Sequence, residues 1–255
     1  LFSRHGAIRL GGEDARPDFT YWGWLSMLFS AGMGIGLMFW SVAEPIYHFT
    51  SPPWGEPQTA EAASLAMGVT FFHWGLHAWG LYGLMALALA YFAYNKGLPL
   101  TVRSTFYPLL GERIHGWVGD VIDTLAAVAT LFGLATSLGL GAQQVNAGFA
   151  YLFGIPQSSL VQVILISIIT AMATISVVLG VDKGIRRLSQ INVVIAALLL
   201  LFVFLAGPTA YLLDALVQNT GVYLRNLPRL SFWTETYSQT QWQHGWTLFY
   251  WAWWI

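Results

Sequence analysis

Long stretches without Asp, Glu, Lys or Arg alternate along this chain with short polar ones. The charge-free runs are 19–43, 62–95, 124–181, 188–213 and 236–255. About 20 apolar residues cross a bilayer as a helix. Each run can therefore cross once, and the 58-residue run 124–181 twice. This pattern predicts crossings at 20–47, 62–94, 117–152, 158–181 and 187–211, with a sixth starting at 244 and continuing through 255. The third is long for one crossing and is expected to tilt or run past the membrane. Pro156 separates the third from the fourth, and Gly180-Val181-Asp182-Lys183-Gly184 the fourth from the fifth. Residues 209–226 follow Pro208 with mixed polarity and read as an amphipathic helix along the outer interface. The expected fold class is an all-α polytopic membrane protein, one transmembrane domain over 1–255, with no internal repeat or low-complexity linker.

Composition agrees. Hydrophobic residues make up 56% and charged residues 9%, with a mean hydropathy of +0.58. Soluble domains carry about 25% charged residues, so this surface is not one that water would hold. A net charge of −1 without a basic cluster argues against nucleic-acid binding. The absence of cysteine excludes disulfide scaffolds and thiolate metal sites. Residues 1–18 are polar and carry Arg4, Arg9 and Arg16, which does not fit a secretory signal. Lys and Arg number 3, 0, 3, 0, 3 and 2 in successive loops, 9 on one side against 2 on the other. The positive-inside rule then places the N-terminal end in the cytoplasm, with the chain as a multi-pass protein of the inner (plasma) membrane. A chain opening with Leu1 and stopping at Ile255 in an apolar run reads as an internal fragment.

Chemistry could reside at three places. The first crossing contains Ser30-Ala31-Gly32-Met33-Gly34-Ile35-Gly36. Each glycine inside a helix costs about 1 kcal/mol relative to alanine. Unwinding at mid-membrane is tolerated where freed backbone groups line a cavity or hold a ligand. Discontinuous helices serve transporters in this way. Gly32 and Gly36 also form a GxxxG pair suited to close helix packing, and on this motif alone the two readings stand level. The second crossing carries Trp74, Trp79 and Tyr82, which on a continuous helix of about 100° per residue share one face. Interfacial belts are the ordinary place for such rings. At mid-span they could box a quaternary ammonium by cation–π attraction, with helix packing as the plain alternative. The sixth segment, Gly245-Trp-Thr-Leu-Phe-Tyr-Trp-Ala-Trp253-Trp254, could close that box.

Other candidates carry less. Asp120 and Asp123 read as helix caps before proton relays, and Glu44, ahead of Pro45, as a helix end. His73 and His77 are one turn apart but lack a third metal ligand. Ala135-Thr136-Ser137-Leu138-Gly139 only imitates a nucleophile elbow. Nothing points to an enzyme.

At these motifs the sequence resembles the betaine/choline/carnitine transporter family. The carriers are Ala31–Trp40 (AGMGIGLMFW) with Ala43-Glu44-Pro45, then His73-Trp74 with Trp79 and Tyr82, then Gly245–Trp254. The resemblance implies a LeuT-like five-plus-five core of inverted repeats. This chain would hold the first repeat and be truncated in the first helix of the second. It further implies that Trp74, Trp79, Tyr82 and Trp254 surround a trimethylammonium head, with Trp253 alongside in the gate. N–H groups of the stretch from Ala31 through Gly32 and Gly34 to Gly36 would meet the substrate carboxylate. Carbonyls of Ser30 and Met33 would help bind sodium, the coupling ion; no other cofactor is implied. Proton-using, choline-preferring relatives tend to carry aspartate where this chain has Gly36, so a zwitterion suits it. A second sodium at Thr130 is doubtful, because Leu134 stands where a second hydroxyl is expected. The implied function is sodium-coupled uptake of glycine betaine or a related compatible solute by alternating access, for osmoprotection. The alternatives are a proton-coupled choline importer, a carnitine-type precursor/product exchanger, and a non-transporting quaternary-amine sensor. The implied partners are the quaternary-ammonium substrate and the lipid bilayer, with homotrimers known among relatives.

Overall fold

The computed structural model describes residues 4–32 and 34–254, leaving Met33 outside the described residues. The helices are α1 (Tyr21–Gly32), α2 (Ile35–Thr50), α3 (Ala60–Trp74), α4 (Leu76–Ala90), α5 (Tyr107–Leu110), α6 (Trp117–Phe153), α7 (Ser159–Val178), α8 (Arg186–Ala206), α9 (Thr209–Phe232) and α10 (Phe249–Trp254). The described residues include no strand. Among the described residues, four helical stretches are long and apolar enough to cross a membrane: Ala60–Asn95, Trp117–Phe153, Ser159–Val178 and Lys183–Ala206. A fifth arises if Tyr21–Gly32 and Gly36–Thr50, inclined by 49°, form one broken span. The protein is thus all-helical and polytopic.

The chain divides into two compact units. One comprises the N-terminal residues to Asp18, His73–Leu134 and the segment from Gln241; the other comprises Phe19–Phe72 and Ala135–Thr240.

In the first unit the polar stretch after α4 is held by side chains. Asn95 accepts from the Gly11 N–H at 3.0 Å and donates to the Arg9 carbonyl at 2.8 Å. Arg103 is anchored on the start of α6. Its backbone N–H donates to Asp123 Oδ1 at 2.9 Å, its Nε to Asp123 Oδ2, and its Nη2 to Asp120 Oδ1 at 2.9 Å. The two aspartates are therefore ion-pair partners of a loop arginine, beyond the capping role expected of them. Hydrogen bonding to Asp123 raises the Arg103 pKa above its ordinary value, and the bond from the Tyr107 hydroxyl to Glu112 raises that of the phenol. A Cβ at Gly119 would lie 1.8 Å from the Ile114 carbonyl oxygen, so glycine alone lets the chain pass there.

In the second unit α1 packs against α8. The α6–α7 turn is built locally. Gly154 at φ +67 ends α6, as a left-handed residue after a helix does. Fully buried Asn146 donates to the Pro156 carbonyl at 3.1 Å and accepts from the Ser158 N–H at 3.2 Å. Ser158 then caps α7 by accepting from the Val161 N–H. The fifth segment ends at Ala206 rather than at 211, where Gly207-Pro208 interrupts the helix. The amphipathic segment runs on past 226 to Phe232 and lies on α3, with the Phe71 and Tyr223 rings 6.4 Å apart.

Glu44 does not end its helix. α2 carries Pro45 inside it and continues to Thr50. Glu44 and His48 are both fully buried, and Glu44 Oε1 bonds His48 Nε2 at 3.1 Å one turn on. A proline inside a helix removes one backbone hydrogen bond, and here the helix carries on past it to Thr50.

Candidate functional site

The aromatic residues singled out from the sequence gather in the first unit. Trp79 and Tyr82 lie three residues apart on α4, with ring centroids 5.9 Å apart at 84°. Trp74 is the last residue of α3, because the helix breaks at Gly75. Gly75 interrupts the helix between Trp74 and Trp79, within the helical stretch Ala60–Asn95. Both rings face α10, which packs against α4. Trp254 stands 5.3 Å from Trp74 at 86° and 6.2 Å from Trp79 at 41°. Trp253 is 6.4 Å from Trp74 at 75°. Near-perpendicular rings adjoin as walls do, and they leave faces turned in different directions. Trp79 keeps 39% of its surface exposed, so a face remains open. The Trp254 indole N–H is buried and meets no acceptor among the described residues.

The floor of this cluster is Tyr250, which the sequence reading did not single out. It is fully buried. Its ring stacks on His73 at 4.7 Å and on Trp253 at 6.1 Å, and meets Trp74 at 5.5 Å and 71°. The signal was present as Tyr250 four residues before Trp254, but only the fold shows that it points inward. His73 and His77 flank the Gly75 interruption, and both rings meet Trp251, at 6.0 and 5.6 Å. His73 Nε2 bonds Thr247 Oγ1 at 2.9 Å, while the His77 ring stacks on Trp251 at 5.6 Å. Thr130, on α6 of the same unit, donates its hydroxyl to the Ala126 carbonyl at 2.8 Å, and Leu134 is 55% exposed.

The glycine stretch belongs to the second unit. Ala31 and Gly32 close α1, Gly34 is extended at φ −91 and ψ −169, and α2 starts at Ile35. Gly36 is buried in the first turn of α2. First-turn N–H groups have no partner within their helix and favour anions. The Ser30 hydroxyl donates to the Ser189 carbonyl at 3.3 Å and accepts from Asn192 Nδ2 at 3.1 Å, which ties the end of α1 to α8. The carbonyl of Met33, expected to bind sodium, lies outside the described residues.

Comparison with known proteins agrees with these features. The sequence profile of the family described as "BCCT, betaine/carnitine/choline family transporter" matches residues 1–255. The chain is 53% identical over 253 residues to the "Glycine betaine transporter" of Acinetobacter baylyi, covering 99% of this chain and 38% of that protein. It is 53% identical over 261 residues to the "Glycine betaine/proline/choline/ectoine transporter VP1456" of Vibrio parahaemolyticus, covering 100% and 46%. It is 48% identical over 254 residues to the "High-affinity choline transport protein" of Escherichia coli strain K12, covering 99% and 38%. The chain spans less than half the length of each of these three relatives. It belongs to the betaine/carnitine/choline transporter family, a family of transporters rather than enzymes.

Proposed function

We propose that the complete protein takes up glycine betaine, or a related quaternary-ammonium solute, by sodium-coupled alternating access. The observation that carries this reading is the ring cluster, with Trp74 and Trp254 5.3 Å apart at 86°. A trimethylammonium cannot donate hydrogen bonds, so it is recognised by ring faces, at about 0.5–2 kcal/mol each. Trp74, Trp79, Tyr82 and Trp254 take the head group, with Trp253 beside them. Backbone N–H groups of the Ala31–Gly36 stretch, which runs into the start of α2, meet the substrate carboxylate. Carbonyls of Ser30 and Met33 take sodium, whose binding and the substrate's then favour each other by the same factor. Thr130 stays a weak candidate for a second sodium. The reading includes a LeuT-like inverted-repeat core, a cytoplasmic N-terminal side in the inner membrane, and a homotrimer.

Choline import is the second reading. It is favoured by the 48% identity to a protein named as a high-affinity choline transporter. Uptake of labelled glycine betaine by cells expressing the complete gene, in sodium and in potassium, separates the two. Sodium-dependent uptake supports the first reading. Sodium-independent choline uptake replaces it with the second, and ligand binding without uptake replaces both with a sensor.

A further inference from the structure

His73 sits in the first unit, beside the ring cluster, near the end of α3. It is fully buried, and its partner Thr247 is 6% exposed. Its Nε2 bonds Thr247 Oγ1 at 2.9 Å. Its ring lies flat on Tyr250 at 4.7 Å and 28°, and on Trp242 at 5.9 Å and 24°. Both ends of this contact sit where the backbone departs from an ordinary α-helix. His73 comes one residue before the end of α3 and two before the Gly75 break. Thr247 lies in a π-helical turn, His244–Leu248, that leads directly into α10. π-turns put an extra residue into a helix and redirect the side chains that follow. The side chains that follow are those of Tyr250, Trp253 and Trp254, and the residue that follows His73 is Trp74. One hydrogen bond and one ring stack therefore join the two irregular segments that carry facing walls of the cluster.

We propose that His73 is a positioning residue: by clasping Thr247 and Tyr250 it sets the distance and angle between Trp74 and the rings of α10, and thereby the fit for a quaternary ammonium. This rests on the transport reading above. It goes further in giving the recognition geometry to a side chain that does not touch the substrate. Displacing a recognition group by about 1 Å can cost up to 100-fold, so the effect falls on binding rather than on folding alone.

Four variants of the complete protein separate the bond from the stack. His73→Phe keeps the ring and removes the bond, and His73→Gln keeps a polar atom near Nε2 and removes the ring. Thr247→Val removes the hydroxyl, and Thr247→Ser keeps it. Glycine betaine uptake is measured as KM and maximal rate, alongside surface amount and thermal unfolding. KM for betaine is expected to rise about tenfold in His73→Phe and in Thr247→Val. Thr247→Ser stays within about threefold of wild type, and His73→Gln falls between. The double variant His73→Phe/Thr247→Val is expected to match the singles, because both remove one shared interaction. The KM ratio of betaine to dimethylglycine narrows in the same variants, which a loss of folded protein does not produce. Unchanged KM and ratio, with only surface amount or unfolding temperature lowered, overturns the proposal and leaves His73 a packing residue. Wild-type protein that neither binds nor transports betaine defeats the transport reading itself, before any variant is compared.

Discussion

Replacing Trp74 tests the ring cluster at its most connected recognition residue. Its ring meets Tyr250 at 5.5 Å, Trp253 at 6.4 Å and Trp254 at 5.3 Å. Each aromatic pair contributes about 0.5–1.5 kcal/mol beyond its buried area, so Trp74→Leu costs the protein about 1.5–4.5 kcal/mol of ring contact, part of it recovered by leucine packing. The ligand loses one cation–π partner, about 0.5–2 kcal/mol, or roughly 2- to 30-fold in affinity. Trp74→Phe keeps a π face and most of the ring contacts. In cells expressing the complete gene, with rates normalised to surface amount, the betaine KM should rise about tenfold in Trp74→Leu and less than about threefold in Trp74→Phe. Thermal unfolding of both variants separates the protein's loss from the ligand's. A Trp74→Leu protein with wild-type KM at normal surface amount refutes the reasoning. Equal losses in the two variants would show that shape, and not the π face, is being read.

Three further outcomes follow from other parts of the molecule. Gly75→Ala favours joining α3 to α4 by about 1 kcal/mol, so helicity should rise while betaine affinity falls; unchanged affinity would show that the break does not place Trp74. Asn146→Ala leaves the Pro156 carbonyl and Ser158 N–H without this partner, which costs about 1–3 kcal/mol. The unfolding temperature should drop by several degrees with betaine KM unchanged, and a KM change would contradict a purely structural role. Gly36→Asp places a carboxylate at a buried site in the first turn of α2, and competition assays should show betaine weakened and choline favoured. Gly36→Asn, of the same size without the charge, should weaken both, and an identical preference in the two variants would remove charge from the explanation.

The helices were largely legible because charge spacing and apolar length are local properties of the chain. Crowded glycines likewise marked the interruption between α1 and α2. The break at Gly75 was hidden, since a single glycine in an apolar run also occurs in continuous helices. It falls between Trp74 and Trp79, whose rings both meet Trp254 on α10. Tyr250 and the partnership of His73 with Thr247 were illegible because 174 residues separate the bonded pair. Asp120 and Asp123 were visible as acids near the start of the third crossing, whereas Arg103, which pairs with both, declares itself only through the folded loop. Glu44 shows the opposite error, where Pro45 was read as a stop although the helix tolerates it and pairs Glu44 with His48.

The central claim is that positive charge on the substrate head, not only its shape, is recognised by the rings. Glycine betaine and 3,3-dimethylbutanoate share a trimethyl head and a carboxylate, and differ by nitrogen for carbon. Competition of each against labelled glycine betaine uptake, in sodium and with the complete protein, measures the value of that charge. A cation–π contribution of about 2 kcal/mol predicts that the carbon analogue competes roughly 30-fold less well. That ratio should shrink towards one in Trp74→Leu. Equal competition by the two compounds in the wild-type protein would contradict the account.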